Sequence, residues 1–566
     1  MKRIVFLIIA TLLVLGLVLP GCGGNGVEFE NWITIAVAGP MNFIQGRDHL
    51  IGAKMAVEEI NADGGVMIGT VAYGLKLYPA NGVDTNEILD TSGATGETAL
   101  TAVIDDVDFV VGGFRTEAVD IYRDVAMDAK KIFFDCGAAS NELQESVLLD
   151  YDTYQYWFKA TPYNGTFLFY NVLKQAGSVD SQLRAALNLT DLDPATTAAC
   201  IVEDAEWTGG FKYKLAPYLI AKVGLNICAA TQLPKSDAIN LETEMTTITT
   251  QCGGEPMMTV TVLSGPPGKA YGMQQGTYLP DTFTVGINVE AQDIDYHHDT
   301  GAQYHVEMDT WAEDVALTGN TLDFLSYYMD ETGGGYPTYC AATYDVLYTI
   351  KAAVEDVGLS SASIITWLED LDHAQTGTAS TTGYYPMPAL GPYPLEGPSL
   401  ENPTGFSGEW YALSYAQAYE IYGDGLLVYY LAKHTINSAQ AAGNWTTGLR
   451  LMTGFGSSAH LTSYMDNTGP YLPHDTIYGP GWQTGQGAQW QPVDPENLAG
   501  EWHKVGWWPM VSIAYPGWDA PAADLTTAAA STLLTYGLLD QWGNWNFAYP
   551  GRVPLVIPQD WIDYWD

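Results

Sequence analysis

Between residues 33 and 134, short apolar runs and helical stripes take turns, and few folds accept that order. Ile33 to Ala38 reads as a strand and turns at Gly39-Pro40. Ala53, Ala56, Val57 and Ile60 then fall on one face of a helix, and Gly64-Gly65 supplies the left-handed residues that end one. Tyr73 to Tyr78 reads as extended and 97–105 as a helix. Asp108-Phe109-Val110-Val111 is a buried-type strand closed by Gly112-Gly113. A helix over 117–129 and a strand from Lys131 to Phe134 complete the series. Strands alternating with helices in this way build a parallel sheet with helices on its faces.

The rhythm breaks near Thr161-Pro162 and starts again. Strands are expected at 198–203, 225–230, 257–263 and 283–287, with helices at 211–223 and 238–252. Two such sheets in one chain place a ligand crevice between them, at the carboxyl ends of the strands. The later chain is less regular. Residues 343–357 form an amphipathic helix, 376–404 a long ordered loop dense in Gly, Pro, Thr and Tyr, and 411–433 a helical pair. Trp518, Trp542, Trp545, Trp561 and Trp565 mark 516–566 as a tail packed on the lobes.

The N-terminus bears on the compartment. Lys2 and Arg3 precede an uncharged apolar run from Ile4 to Val18, and Leu19-Pro20-Gly21-Cys22 follows. A positive start, an apolar core and a small-residue exit describe a secretory signal over 1–21. The run is short for a membrane span, which needs about 20 residues. Leu19 to Cys22 resembles a bacterial lipobox, from which Pro20 departs. The resemblance implies that Cys22 is lipidated, that 22–31 is a linker, and that the protein is extracytoplasmic, anchored to the cell membrane by its lipid.

Hydrophobic residues at 47% and aromatic ones at 12% exclude a disordered chain. Lys and Arg total 22 against 66 Asp and Glu, a net charge of −44, which excludes nucleic acid and anionic lipid as partners because both require a basic footprint. Five cysteines remain besides Cys22, an odd number without metal-ligand spacing. Cys228 and Cys252 would bridge in an oxidising space if their side chains meet, a point the sequence leaves open.

Seven stretches together resemble the type I periplasmic binding proteins of the leucine/isoleucine/valine-binding kind. They are ITIAVAGPMN at 33–42, GAKMAVEEINADGGV at 52–66, FVVGGFRTEAV at 109–119, KIFFDCGAASNEL at 131–143, ACIVEDAEWTGGF at 199–211, PTYCAATYDVLYTIKAAVE at 337–355 and HDTIYGPGWQTGQGAQW at 474–490. They cover 31–285 well and are patchier to about 515. The resemblance implies an α/β fold of two Rossmann-like lobes joined by three crossovers. Residues 31–160 and 286–473 would form the first lobe, with an insertion at 409–460, and 161–285 and 474–515 the second. It also implies a substrate-binding subunit of an ABC importer, closing on an amino acid or another carboxylate-bearing solute and partnered by a permease.

The candidate ligand residues follow from strand ends. Phe114, Arg115 and Thr116 lead into a helix N-terminus, where free N–H groups attract an anion such as a carboxylate, and the Arg115 guanidinium would clamp it in bidentate fashion. Ala138, Ala139 and Ser140 repeat the arrangement one strand along. In the second lobe Asp204 and Trp207 follow a strand, the indole face suiting apolar or cationic groups. Asn288 and Glu290 match the region where relatives supply an acid for a ligand ammonium, and Tyr163 and Asn164 sit at the first crossover. Asp293 to Asp299, with His297 and His298, reads as polar surface rather than a metal site. The sequence contains no GxSxG elbow and no HExxH, so a non-enzymatic protein without cofactor or metal is expected. A sensory receptor ectodomain and a secreted carbohydrate-active enzyme stay open as alternatives.

Overall fold

A computed structural model describes residues 28–161, 165–190, 192–235, 240–293, 296, 302–309, 311–313, 321–369, 474, 486–495, 497, 501–509 and 556–565. The signal segment with Cys22, the 376–460 region and most of the tail lie outside them.

The first sheet contains β1 (Asn31–Gly39), β2 (Val66–Ile68), β3 (Val71–Leu77), β4 (Val83–Asp84), β5 (Phe109–Gly112), β6 (Ile132–Asp135) and β7 (Trp157–Lys159), in the order β2-β3-β1-β5-β6-β7, with β4 also paired to β1. Only the β2–β3 pair is antiparallel. Alternate residues of each strand feed two separate cores. Ile33, Ile35, Val111 and Phe134 pack with Ala53, Ala56 and Ile60 of the Ile44–Ala62 helix and with Leu347 and Ile350 of the Thr343–Val357 helix. Ala36, Ala38, Val110 and Phe133 face Leu100, Val119, Tyr122 and Ala126 on the opposite side. Burial on both faces explains why these strands read as apolar runs.

The second sheet contains β8 (Thr197–Glu203), β9 (Asn226–Leu233), β10 (Met258–Leu263), β11 (Phe283–Asn288), β12 (Val306–Asp309), β13 (Gln486–Pro492) and β14 (Trp502–Pro509), in the order β14-β13-β12-β11-β10-β8-β9. It is parallel from β9 to β12, and β13 and β14 close it antiparallel. The Gly165–Ala186 helix covers one face through Phe169, Val172, Val179 and Leu183. Met245, Ile248 and Tyr271 cover the other. The expected 211–223 helix is α-helical over Gly209–Tyr218 and widens to a π turn over Leu219–Val223. Pro217, without an N–H, breaks the regular ladder just before it.

Among the described residues the chain changes lobe after β7, between β12 and the Thr321–Thr332 helix, and before β13. Two lobe boundaries move from their expected places. β12 belongs to the second sheet although 286–473 was assigned to the first lobe, because a four-residue strand carrying Glu307 and Asp309 has no apolar run to announce it. His474 lies on the first lobe, its carbonyl accepting from Lys159 N at 2.8 Å and its Nδ1 facing Trp157 O at 2.9 Å.

Cys228 and Cys252 form a disulfide that ties β9 to the end of the Glu242–Cys252 helix, while Cys136, Cys200 and Cys340 are buried thiols. At the C-terminus Trp561 packs edge-on against Phe283, at 5.2 Å between ring centres. No helix among the described residues is long and apolar enough to cross a membrane.

Candidate functional site

The carboxyl ends of β5 and β8 face each other across the lobes, and Arg115 bridges them. Its position depends on Gly112, which has φ +118° and lies so close to β1 that a Cβ would sit 2.0 Å from Ala38 O. Only glycine tolerates that backbone and that approach. The turn it makes places Phe114 and Arg115 ahead of the Thr116–Asp128 helix.

The helix N-terminus already holds a carboxyl group. Glu87 Oε2 accepts from Arg115 N at 2.9 Å and Phe114 N at 3.3 Å, while Thr85 Oγ1 donates to Oε1 at 2.8 Å and the Tyr122 hydroxyl lies at 3.2 Å. Burial lifts this carboxyl to about 7 against the pull of those donors. The guanidinium is engaged as well. Arg115 Nη2 lies 2.5 Å from Glu203 Oε1, with the two side chains 1% and 0% exposed. Glu203 Oε2 is held from behind by Ser264 N at 2.8 Å and Ser264 Oγ at 2.6 Å. Arg115 Nε and Nη1 and Thr116 Oγ1 remain buried without a hydrogen-bond partner.

Glu290 faces the same cluster from the end of β11. It accepts from Gln45 Nε2 at 2.6 Å, and its carboxyl is raised by burial, with Arg115 among the charges that oppose the shift. Gln45 Oε1 is buried and unpartnered. Asn288 serves its own chain: Nδ2 donates to Gly268 O at 3.0 Å and Tyr296 Oη at 2.9 Å, and Oδ1 accepts from Glu290 N at 3.2 Å. Phe114 stacks on Tyr339 at 6.5 Å between ring centres.

The second loop of the first lobe is occupied from within. Gly137 N and Ala138 N donate to Asp135 Oδ1 at 3.1 and 2.9 Å, and Asp135 pairs with Lys159 at 3.0 Å, both fully buried. Lys159 also donates to Ala138 O. Ala139 O accepts from Gly165 N at 2.7 Å, and Ser140 Oγ hydrogen-bonds the Glu142 carboxylate. Asp204 turns away: its side chain is 59% exposed and pairs with Lys212, which depresses its carboxyl. Trp207 is half-buried and meets Phe211 edge-on at 5.8 Å. Tyr163, Asn164, His297, His298 and Asp299 lie outside the described residues. No group of three or more His, Cys, Asp or Glu able to hold a metal occurs among those described.

Glu87, Glu203, Gln45 and Ser264 were not expected at the site. Glu203 had a signal in the period of β8, where alternation puts it in line with the inward Ala199 and Ile201 and puts Asp204 on the other side. Glu87 and Gln45 sit in a loop and a helix turn with no such signal.

His49 links the Gly113 turn to the segment at Cys340. Its Nδ1 lies 2.9 Å from Cys340 O and its Nε2 3.1 Å from Gly113 O, and burial lowers its pKa to about 4. The adjacent Asp48 accepts from Thr338 N at 2.6 Å and from the Tyr328 hydroxyl. Burial raises its carboxyl to about 7.

No family model matches the chain, and neither does any curated protein. Among solved structures it is similar to the branched-chain amino acid transporter substrate binding protein LivJ from Streptococcus pneumoniae str. Canada MDR_19A, in complex with isoleucine. Identity is 16% over 63% of this chain and 93% of that one, with a TM-score of 0.47. It is also similar to the leucine binding protein LivK from Thermotoga maritima MSB8 (14% identity, 61% and 89% covered, TM-score 0.43). A third is a solute binding protein of an ABC transporter from Rhodopseudomonas palustris BisB5, in complex with 3,4-dihydroxy benzoic acid (14% identity, 61% and 85% covered, TM-score 0.45).

Proposed function

We propose that the protein is an exported solute-binding lipoprotein, tethered through Cys22, whose lobes close over a small polar molecule for delivery to an ABC permease. One observation carries the reading. Arg115 and Gln45 of the first lobe reach Glu203 and Glu290 at strand ends of the second, and Arg115 Nε and Nη1, Gln45 Oε1 and the adjacent Thr116 Oγ1 are buried there without partners. Leaving such groups unpaired costs about 1–3 kcal/mol each, and more when charged. A solute supplying the missing partners from between the lobes would recover that energy and favour closure.

Mass spectrometry of small molecules released from purified, denatured protein should find one bound solute. Scattering with that solute should show a smaller radius of gyration than without it. An unchanged radius together with turnover of the solute would favour an enzyme. For the anchor, intact mass of membrane-extracted protein should show loss of residues 1–21 plus acyl mass, and Cys22→Ala should abolish both. A soluble, unmodified wild type would refute it.

A further inference from the structure

Resting on the solute-binding reading, we infer that the solute presents no carboxylate to the wall built by the Thr116–Asp128 helix and Arg115: the carboxyl groups of Glu87 and Glu203 already fill both anion positions of the cleft, and the protein selects a neutral or cationic polar solute there. Each resident carboxylate is fixed by its own set of donors. Glu87 has two backbone amides and two hydroxyls. Glu203 has an amide, a hydroxyl and the guanidinium. An incoming carboxylate would have to displace one of them, stranding the donors behind it, or lie beside Glu203 in a dry site where like charges repel strongly.

The charge balance runs the same way. Arg115 faces Glu203 and has Glu290 and Glu117 as further acidic neighbours. Of the other cations, Lys159 pairs with Asp135 and Lys235 with Glu117, while Lys269 is exposed and lies on the Glu290 side. The wall therefore has no spare positive charge. It still offers hydrogen-bonding groups: Arg115 Nε and Nη1 as donors, Gln45 Oε1 as an acceptor and the Thr116 hydroxyl as either. These suit hydroxyl, amide or carbonyl oxygens on the solute, while Glu290 leaves the opposite side able to face a cation.

The test uses Glu203→Gln, which retains an oxygen for Ser264 but releases the charge on Arg115. Melting temperatures of wild type and variant are measured in sodium acetate and in sodium chloride at equal ionic strength. Acetate should leave the wild type unmoved relative to chloride and raise the variant by about 2–4 °C at concentrations roughly tenfold above its dissociation constant. Glu87→Ala, which removes the acceptor from the Phe114 and Arg115 amides and so frees the helix N-terminus, is the second variant should the first not fold, with the same expected gain. Stabilisation of wild type by acetate, lost in Arg115→Lys, would overturn the inference, as would the absence of any gain in a folded variant. A released solute that is a carboxylate and binds wild type but not Arg115→Lys would also overturn it, leaving the solute-binding reading in place. A protein that releases no solute, or turns one over, would defeat that reading whatever acetate does.

Discussion

Replacing Lys159 with Met should destabilise the first lobe by an amount that depends on pH in a calculable way. Asp135 and Lys159 are fully buried and 3.0 Å apart, and Asp135 also takes the amides of Gly137 and Ala138. Removing one member of a buried pair typically costs about 3–5 kcal/mol, because the other charge is left uncompensated. Asp135 has an escape, since it can protonate, and its pKa is already raised by burial. Protonating a carboxyl of ordinary pKa near 3.9 costs about 4 kcal/mol at pH 7 and about 1.5 kcal/mol at pH 5, at roughly 1.4 kcal/mol per unit. That cost caps the electrostatic penalty, so the loss at pH 7 should be at most about 4 kcal/mol plus about 1 kcal/mol for the lost bond to Ala138 O. The penalty should shrink by up to about 2.7 kcal/mol on going to pH 5. Urea titrations followed by circular dichroism at the two pH values measure it. In Lys159→Met with Asp135→Asn, which removes the charge but keeps an acceptor for the two amides, most of the pH dependence should vanish. A single-variant loss below about 1 kcal/mol at pH 7, or one equal at both pH values, would show that no buried charge is being stranded.

Three further outcomes are expected. Exchanging Cys228 and Cys252 together for Ser opens a loop with a sequence separation of 24. It should cost about 3 kcal/mol, read as a lower urea midpoint; an unchanged midpoint would mean that the bridge contributes nothing. Gly112→Ala forces a Cβ to 2.0 Å from Ala38 O at φ +118°. It should lower stability by at least about 1–3 kcal/mol, and a variant that melts like wild type would contradict the described turn. Asp48 takes up its proton near pH 7 in the fold and near 3.8 when unfolded. The folded state therefore binds the extra proton between those values, and stability falls as pH rises from about 4 to about 7, by up to about 4 kcal/mol. Asp48→Asn should flatten that part of the curve, and an identical slope in the variant would assign the effect elsewhere.

What the sequence made legible was set by period and punctuation. β1, β5 and β6 were readable because parallel strands buried on both faces are near-continuous apolar runs, and Gly39-Pro40 and Gly112-Gly113 marked the ends of the first two. β7 is only Trp157–Lys159 and ends in a charge, so nothing in the local pattern separates it from a loop. The Gly165–Ala186 helix has Gly, Ser and Asn along it and gave no clear stripe, yet it forms one wall of the second core. At the site, the order of residues revealed which loops meet but not which partners fill them. The Gly113–Arg115 turn was recognisable as an anion position, whereas its occupant, Glu87, comes from a loop 28 residues earlier than Arg115. A pairing of that kind is a property of the folded backbone, and no spacing rule predicts it.

The split second sheet has a consequence for the order in which the chain can fold. β8 to β12 are complete by Asp309, but their antiparallel neighbour begins only at Gln486. Until those later residues emerge, β12 is an open edge, inviting another chain to pair with it. Glu307, opposite Ala488 in the finished sheet, is buried, and burial drives its pKa far up against the pull of Lys504 and the Asn288 backbone. In the finished protein it is a liability, yet an inward-pointing charge on a temporary edge discourages association before β13 arrives. Glu307→Gln should therefore raise the unfolding midpoint of refolded protein while lowering the yield of soluble protein during expression. A variant that gains in both would show that the glutamate guards nothing on the way to the native state.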